Sequence, residues 1–172
     1  MASETSEKIF FIGLCGGNFA GPSGVGKTTA ANHIVKKHDF CLCDLLAPIE
    51  QAAKKLSNWD GVKDEKGLGI LNETCMAGRK INENYWLNLA LAPIPANKNF
   101  RIVFDNVYFK NEAIFIKNNG GRIINVDRAG FEDTAFDFVC DFSVINNGTV
   151  EEFEKRVDGV VEIILRPNNQ RP

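Results

Sequence analysis

The stretch Gly21-Pro22-Ser23-Gly24-Val25-Gly26-Lys27-Thr28 constrains this chain more than any other. It fits G-x-x-x-x-G-K-[ST] at every position, and that pattern has a mechanism. Glycines let successive backbone N–H groups turn inward around phosphate oxygens, since no Cβ obstructs the turn. The helix that follows points its positive dipole end at the same oxygens. Lys27 is then a mobile point charge for the β- and γ-phosphates, and the Thr28 hydroxyl is the expected Mg²⁺ ligand. The expected cradle is Gly21, Ser23, Gly24, Val25, Gly26, Lys27, Thr28 and Thr29. A flexible turn with an exposed lysine is the bland alternative, and the context argues against it. Ile9-Phe10-Phe11-Ile12-Gly13-Leu14 is an unbroken apolar run before the motif, the mark of a strand covered on both faces. After it, residues 28–38 read as a helix, with Ala30, Ala31, Ile34 and Val35 on one face and Lys36, Lys37 and His38 at the negative end of its dipole.

The rest of the chain alternates in the same way. Residues 40–43 form a short strand ending at Asp44, and Pro48 can open a helix whose Ile49, Ala52, Ala53 and Leu56 make a core-facing stripe. Residues 58–67 are polar and read as a surface loop, 68–76 as a helix, and 84–92 as a helix stopped by Pro93. The third strand, 100–105, ends in Asp105; a helix over 111–117 follows, capped by Gly120 or Gly121. Strands at 122–126 and 142–145 come next. Thr149 and Glu152 form a capping box that opens a last helix, with Phe153, Val157, Val160 and Ile164 along one side. Such alternation predicts an α/β fold, a parallel sheet with helices on both faces, in one domain spanning 1–172.

Composition narrows the function classes. Lys+Arg 20 against Asp+Glu 22 gives a net charge of −2, without the basic stripe of a nucleic-acid binder. No apolar run approaches the length of a membrane span, and the polar start Met1 to Lys8 is not a signal peptide. Five scattered cysteines (Cys15, Cys41, Cys43, Cys75, Cys140) suggest neither a zinc cage nor a disulfide framework, which fits reduced thiols in a cytoplasmic setting. Cys41 and Cys43 read as small buried residues on one strand face.

A phosphate site of this kind needs a carboxylate at the end of an apolar strand. Asp105 is the candidate for holding Mg²⁺ through water, and Asp44 is the other. A GTPase would need N-K-x-D after a strand; Asn97-Lys98-Asn99-Phe100 lacks the Asp. Transporter and ring ATPases need larger domains, which leaves a small kinase. One departure from the usual layout is the extra segment Cys15-Gly16-Gly17-Asn18-Phe19-Ala20 between strand and cradle.

Several segments, in order, resemble the phage-type deoxynucleoside monophosphate kinases, of the P-loop nucleoside monophosphate kinase group. They are the cradle, Leu46-Ala47-Pro48, Trp59-Asp60-Gly61-Val62-Lys63-Asp64, Gly78-Arg79 with Trp86 seven positions on, and Asp105-Asn106-Val107-Tyr108-Phe109-Lys110-Asn111-Glu112-Ala113. Gly120 to Arg128 and Asp141 to Thr149 complete the series. The resemblance implies ATP as phosphoryl donor, Mg²⁺, a nucleoside monophosphate acceptor and strand order 2-3-1-4-5. It implies an acceptor-binding segment at about 45–92 and a lid at about 128–140. Lys27, Arg79, Arg128 and Asp105 are the expected catalytic set, with Arg79 on the acceptor phosphate and Arg128 as a lid arginine on the donor. Asp44, Arg79, Trp86, Asn111 and Glu112 are the expected acceptor-binding residues, Trp86 by stacking on the base. Thr28 and Asp105 would hold the metal.

Two departures stand out. Tyr108 occupies the family's arginine in D-x-R-F-x-N-E-A, and Asn106 occupies its acid, so a phosphate clamp is missing. Lys63 or Lys110 could compensate. Glu50 and Gln51 also stand where the family has a lysine after Ala-x-Pro. Two alternatives remain open: a small-metabolite kinase acting on an acceptor such as dephospho-coenzyme A, and a weakly catalytic nucleotide-binding regulator. The oligomeric state is open too, a homodimer among the options.

Overall fold

In the computed structural model, residues 10–19, 24–94, 101–131 and 135–166 are described. The elements run β1 (Phe10–Cys15), α1 (Lys27–His38), β2 (Cys41–Asp44), α2 (Ala47–Ser57), α3 (Glu65–Ile81), α4 (Tyr85–Leu91), β3 (Arg101–Asp105), α5 (Lys110–Asn118), β4 (Arg122–Asp127), β5 (Phe142–Ile145) and α6 (Val150–Leu165). All four strand pairings are parallel, and the order is β2-β3-β1-β4-β5, the 2-3-1-4-5 arrangement expected of the P-loop kinase fold.

The strands are short and apolar because each is buried on both sides. Ile12, Leu14, Val103, Ile124, Val126 and Val144 pack against α1 and α6 through Ala30, Ile34, Phe153 and Val157. Phe11, Ile102, Phe104 and Ile123 pack on the other face against α4 and α5 through Leu87, Ala113 and Ile116. A third cluster stands apart from the strands. Ile49, Ala53, Trp59, Leu71, Cys75 and Trp86 close a small core among α2, α3 and α4.

The sequence reading differs from the structure in three places. The helix expected over 68–76 runs from Glu65 to Ile81, because Asp64 Oδ1 accepts the Gly67 N–H at 2.8 Å and so caps an earlier start. Leu56, assigned to a core stripe, is 81% exposed: α2 meets its neighbours through Ile49 and Ala53 and ends one residue after Leu56. Cys43 is buried as expected, but Cys41 is exposed at the start of edge strand β2. The capping box at α6 forms as read, with Glu152 N–H donating to Thr149 Oγ1 and Thr149 N–H donating to Glu152 Oε2. The expected strand starts Ile9 and Phe100 and the polar tail beyond Arg166 lie outside the described residues.

Candidate functional site

Parallel strands in this order bring the ends of β1, β2 and β3 to one edge, and the site forms there. A cavity of about 550 Å³ runs along that edge. Its lining includes Gly24, Gly26, Lys27, Thr28, Thr29, Arg128 and Asn146 around the cradle. Phe19, Asp44, Leu46, Glu50, Lys63 and Tyr108 line it as well.

The cradle is held by backbone geometry. Gly26 sits at φ 106° just before Lys27, and a Cβ there would lie 2.4 Å from Asn146 Nδ2. Asn146 in turn donates from Nδ2 to the Val25 carbonyl at 2.8 Å. Arg128 donates to the Gly24 carbonyl at 2.9 Å, so strand β4's exit loop is tied to the cradle. Gly21 and Ser23, expected in the cradle, lie outside the described residues, as does Pro22.

Lys27 is 4% exposed, and its Nζ donates to the Gly16 carbonyl at 2.6 Å while lying 5.3 Å from the Tyr108 ring centre. Burial lowers its pKa, with the Asp105 charge opposing that shift. The contact with Gly16 gives the extra segment before the cradle a role. Gly16 directly follows β1 and anchors the lysine, and Phe19 stacks edge-on to Tyr108 at 5.2 Å on the cavity wall.

Two carboxylates stand side by side at the strand ends, since Asp44 and Asp105 are register partners across β2 and β3. Thr28 donates from Oγ1 to Asp105 Oδ2 at 2.9 Å. Desolvation raises the Asp105 pKa; the Thr28 hydrogen bond opposes this, and the nearby Asp44 charge adds to it. Asn106 follows at φ 64°, a left-handed conformation that Asn tolerates better than most residues. That turn lets its N–H reach Asp105 Oδ1 (2.8 Å) and its Nδ2 reach Asp44 Oδ1 (3.0 Å). The residue standing for the family's acid is therefore a brace between two acids.

The remaining expected site residues gather elsewhere. Arg79 donates to Asn111 Oδ1 at 2.9 Å and to the Glu83 carbonyl at 3.2 Å, with its guanidinium 3.9 Å from the Phe109 ring centre. Asn111 also donates to the Glu83 carbonyl and to Asn84 Oδ1, so the pair ties α5 to the turn before α4. Glu112 is buried and accepts the Tyr108 and Phe109 N–H groups, and burial pushes its pKa up to about 7 against those two hydrogen bonds. Trp86 is 6% exposed, lies against Gly78, and donates its indole N–H to the Cys75 carbonyl at 2.8 Å. The structure thus gives Trp86 a place in the third core, where its ring fills space between helices. None of Arg79, Trp86, Asn111 and Glu112 lines the cavity.

Sequence reasoning missed Phe19, Glu50, Asn106 and Asn146 as cavity residues. The signals at hand were the extra segment that carries Phe19, the departure at Glu50 and the position of Asn106 directly after a strand-end acid.

Among the described residues no cluster of three or more His, Cys, Asp or Glu is placed to hold a metal. The Thr28 hydroxyl and the Asp105 carboxylate are nonetheless hard oxygen donors in contact, the donor type that suits Mg²⁺, which takes its other ligands from water and phosphate. Among the described residues no helix is long and apolar enough to cross a membrane.

No family model matches the chain. A protein of Acanthamoeba polyphaga mimivirus carrying the name "Putative deoxynucleotide monophosphate kinase" is 28% identical over 192 aligned positions, covering 90% of this chain and 97% of the relative. Among solved structures, an APS kinase of Mycobacterium tuberculosis aligns at 13% identity and TM-score 0.45, over 90% of this chain and 98% of the other. The dephospho-CoA kinase of Campylobacter jejuni aligns at 17% identity and TM-score 0.45, over 91% and 96%. The chain thus combines the parallel sheet order of the P-loop kinase fold with a sequence similar, along nine-tenths of its length, to a viral protein named for deoxynucleotide monophosphate phosphorylation.

Proposed function

We propose that this chain is an ATP-dependent phosphotransferase that moves the γ-phosphoryl group of ATP to a (deoxy)nucleoside monophosphate, giving the diphosphate. The observation that carries this reading is one cavity lined both by the phosphate cradle, with Lys27 and Thr28, and by the polar side chains of Asp44, Glu50 and Lys63. The name of the mimivirus relative supports the acceptor class.

Phosphoryl transfer asks little covalent chemistry of a protein. It asks that two anionic molecules be aligned and that their charge be neutralised. The cradle orients the donor, and Lys27, once it leaves the Gly16 carbonyl, is the nearest cation for the transferring group. Arg128, held against the cradle through the Gly24 carbonyl, supplies a second cation on the donor side. Thr28 and Asp105 would hold a Mg²⁺ ion, which when bound neutralises phosphate charge. The helices over 45–92 form the acceptor arm of a single domain, and Phe19 and Tyr108 give its cavity wall an aromatic surface for a base or sugar. A cytoplasmic location goes with this reading.

An ADP-release assay tests it, run across dAMP, dGMP, dCMP, dTMP and dUMP and their ribose forms with Lys27→Ala as control. Acceptor-dependent turnover well above the control for at least one of them is the expected result. Turnover no higher than the control for all of them would sink the proposal.

A further inference from the structure

Resting on that reading, the geometry points to Lys63 as the residue that binds the acceptor's phosphate, the role the family gives to arginines. Among the described residues, the cations lining the cavity are Lys27, Lys63 and Arg128. Lys27 and Arg128 are held at the cradle, by the carbonyls of Gly16 and Gly24. Of the three, only Lys63 is not bonded to one of these carbonyls; it pairs with Glu50 instead. Arg79 is occupied by Asn111, Glu83 and Phe109, and Tyr108 fills the position where an arginine would stand.

The loop that carries Lys63 is built to present it. Just before it, Trp59 donates its indole N–H to the Val62 carbonyl at 2.9 Å, and Val62 N–H donates to Asp60 Oδ1 at 2.9 Å. Just after it, Asp64 caps α3. The backbone on both sides of Lys63 is therefore fixed, with Trp59 sunk into the third core, while the Lys63 side chain stays 43% exposed. A fixed backbone carrying a half-exposed side chain reduces the ordering cost of engaging a ligand.

Glu50 Oε1 holds the ammonium at 2.7 Å. A half-exposed ion pair of this kind contributes little, so it yields readily to a phosphate dianion, which offers more charge and more acceptor oxygens. Lys63 also sits close enough to Lys27 for its charge to disfavour the protonated form of that lysine.

The test combines calorimetric binding of the nucleoside monophosphate panel with steady-state kinetics, on the full chain and on Lys63→Met, Lys63→Arg and Glu50→Gln. Lys63→Met is expected to weaken acceptor binding and raise the acceptor KM by about tenfold to a hundredfold, the range for losing one charge-assisted hydrogen bond. The KM for ATP and the melting temperature should stay within twofold and about 2 °C of wild type, Lys63→Arg should recover most of the loss, and Glu50→Gln should leave acceptor affinity equal or tighter. Wild-type binding and turnover with an unchanged acceptor constant in Lys63→Met would overturn the Lys63 assignment alone. An equal rise in the ATP KM, or a fall in melting temperature that accounts for the loss, would overturn it as well. A wild-type protein that neither binds nor phosphorylates any of the panel would overturn the kinase reading and this assignment together.

Discussion

The two sides of the cavity lining are built on different principles. The cradle side rests on the sheet: β1 is paired on both sides, α1 is pressed onto the strands, and Asn146 and Arg128 tie β4 and β5 exits to the cradle backbone. The Glu50 and Lys63 side rests on a small core of its own, closed among three helices and bordered by exposed Leu56, Met76, Ile81 and Leu89. What joins the two is local: the Arg79–Asn111 tie, the Phe19–Tyr108 contact and the Asp44–Asn106–Asp105 bridge. The difference teaches where chemistry is fixed and where recognition can vary. The cradle is set by strands packed on both faces, whereas the Glu50 and Lys63 side of the lining is carried by helices α2 and α3 and their connection.

The largest expected effect breaks the cradle side without unfolding it. Lys27→Ala removes a single charge and should lower kcat by about 10²–10³-fold, the cost of deleting one preorganised electrostatic contact, with unchanged circular dichroism. A loss of stability instead would mean that Lys27 serves the Gly16 contact more than the reaction.

Next comes the anchor of α1. Asp158 on α6 accepts from Lys37 Nζ and from the Nε2 atoms of His33 and His38. Desolvation opposes its ionisation, yet those hydrogen bonds together hold its pKa down to about 2 from 3.8. Its stabilisation is therefore complete above pH 3.8 and is lost as pH falls toward 2. Asp158→Ala should cost about 2–3 kcal/mol in urea unfolding at neutral pH and flatten that acid limb.

Glu112 provides a test at the seam between the two sides. Its folded pKa, about 7, lies above the ordinary 4.5, so the folded state holds the proton more tightly. Stability from this group is present below pH 4.5 and declines as pH rises through 7. Glu112→Gln keeps an oxygen for the Tyr108 and Phe109 N–H groups and removes the charge. Unfolding measured at pH 5 and pH 8 should show the variant gaining on wild type at the higher pH.

The smallest effect sharpens the Glu50 and Lys63 side. Arg79→Met loses two exposed or half-exposed charge-assisted hydrogen bonds and the stack on Phe109, and should cost about 1 kcal/mol of stability. If its work is to tie α5 to the turn before α4, the acceptor KM should rise less than threefold, far below the change expected for Lys63→Met.

What the sequence made legible followed range along the chain. Local signals carried the cradle, the two strand-end acids and the Thr149–Glu152 box, because each depends on residues within a few positions of one another. Strand order could be read only through resemblance, and the structure agrees with it. That Arg79 and Trp86 lie away from the cavity lining has a physical reason. Both sit on amphipathic helices where spacing cannot tell an inward face toward a cavity from one toward a third core. The Asp158 network was invisible because its partners lie 120 to 125 positions away. Lys63 was named only as a possible substitute, since nothing in its neighbours' identities says which side of a cavity a loop will face.

The Asp158 anchor has a mechanical consequence. Helix α1 begins at Lys27, which lines the cavity, and its last turn is held from α6 through Lys37 and His38. The Asp158 cluster and the cavity lysine therefore sit at the two ends of one helix, so the far helical layer helps set where the lysine stands.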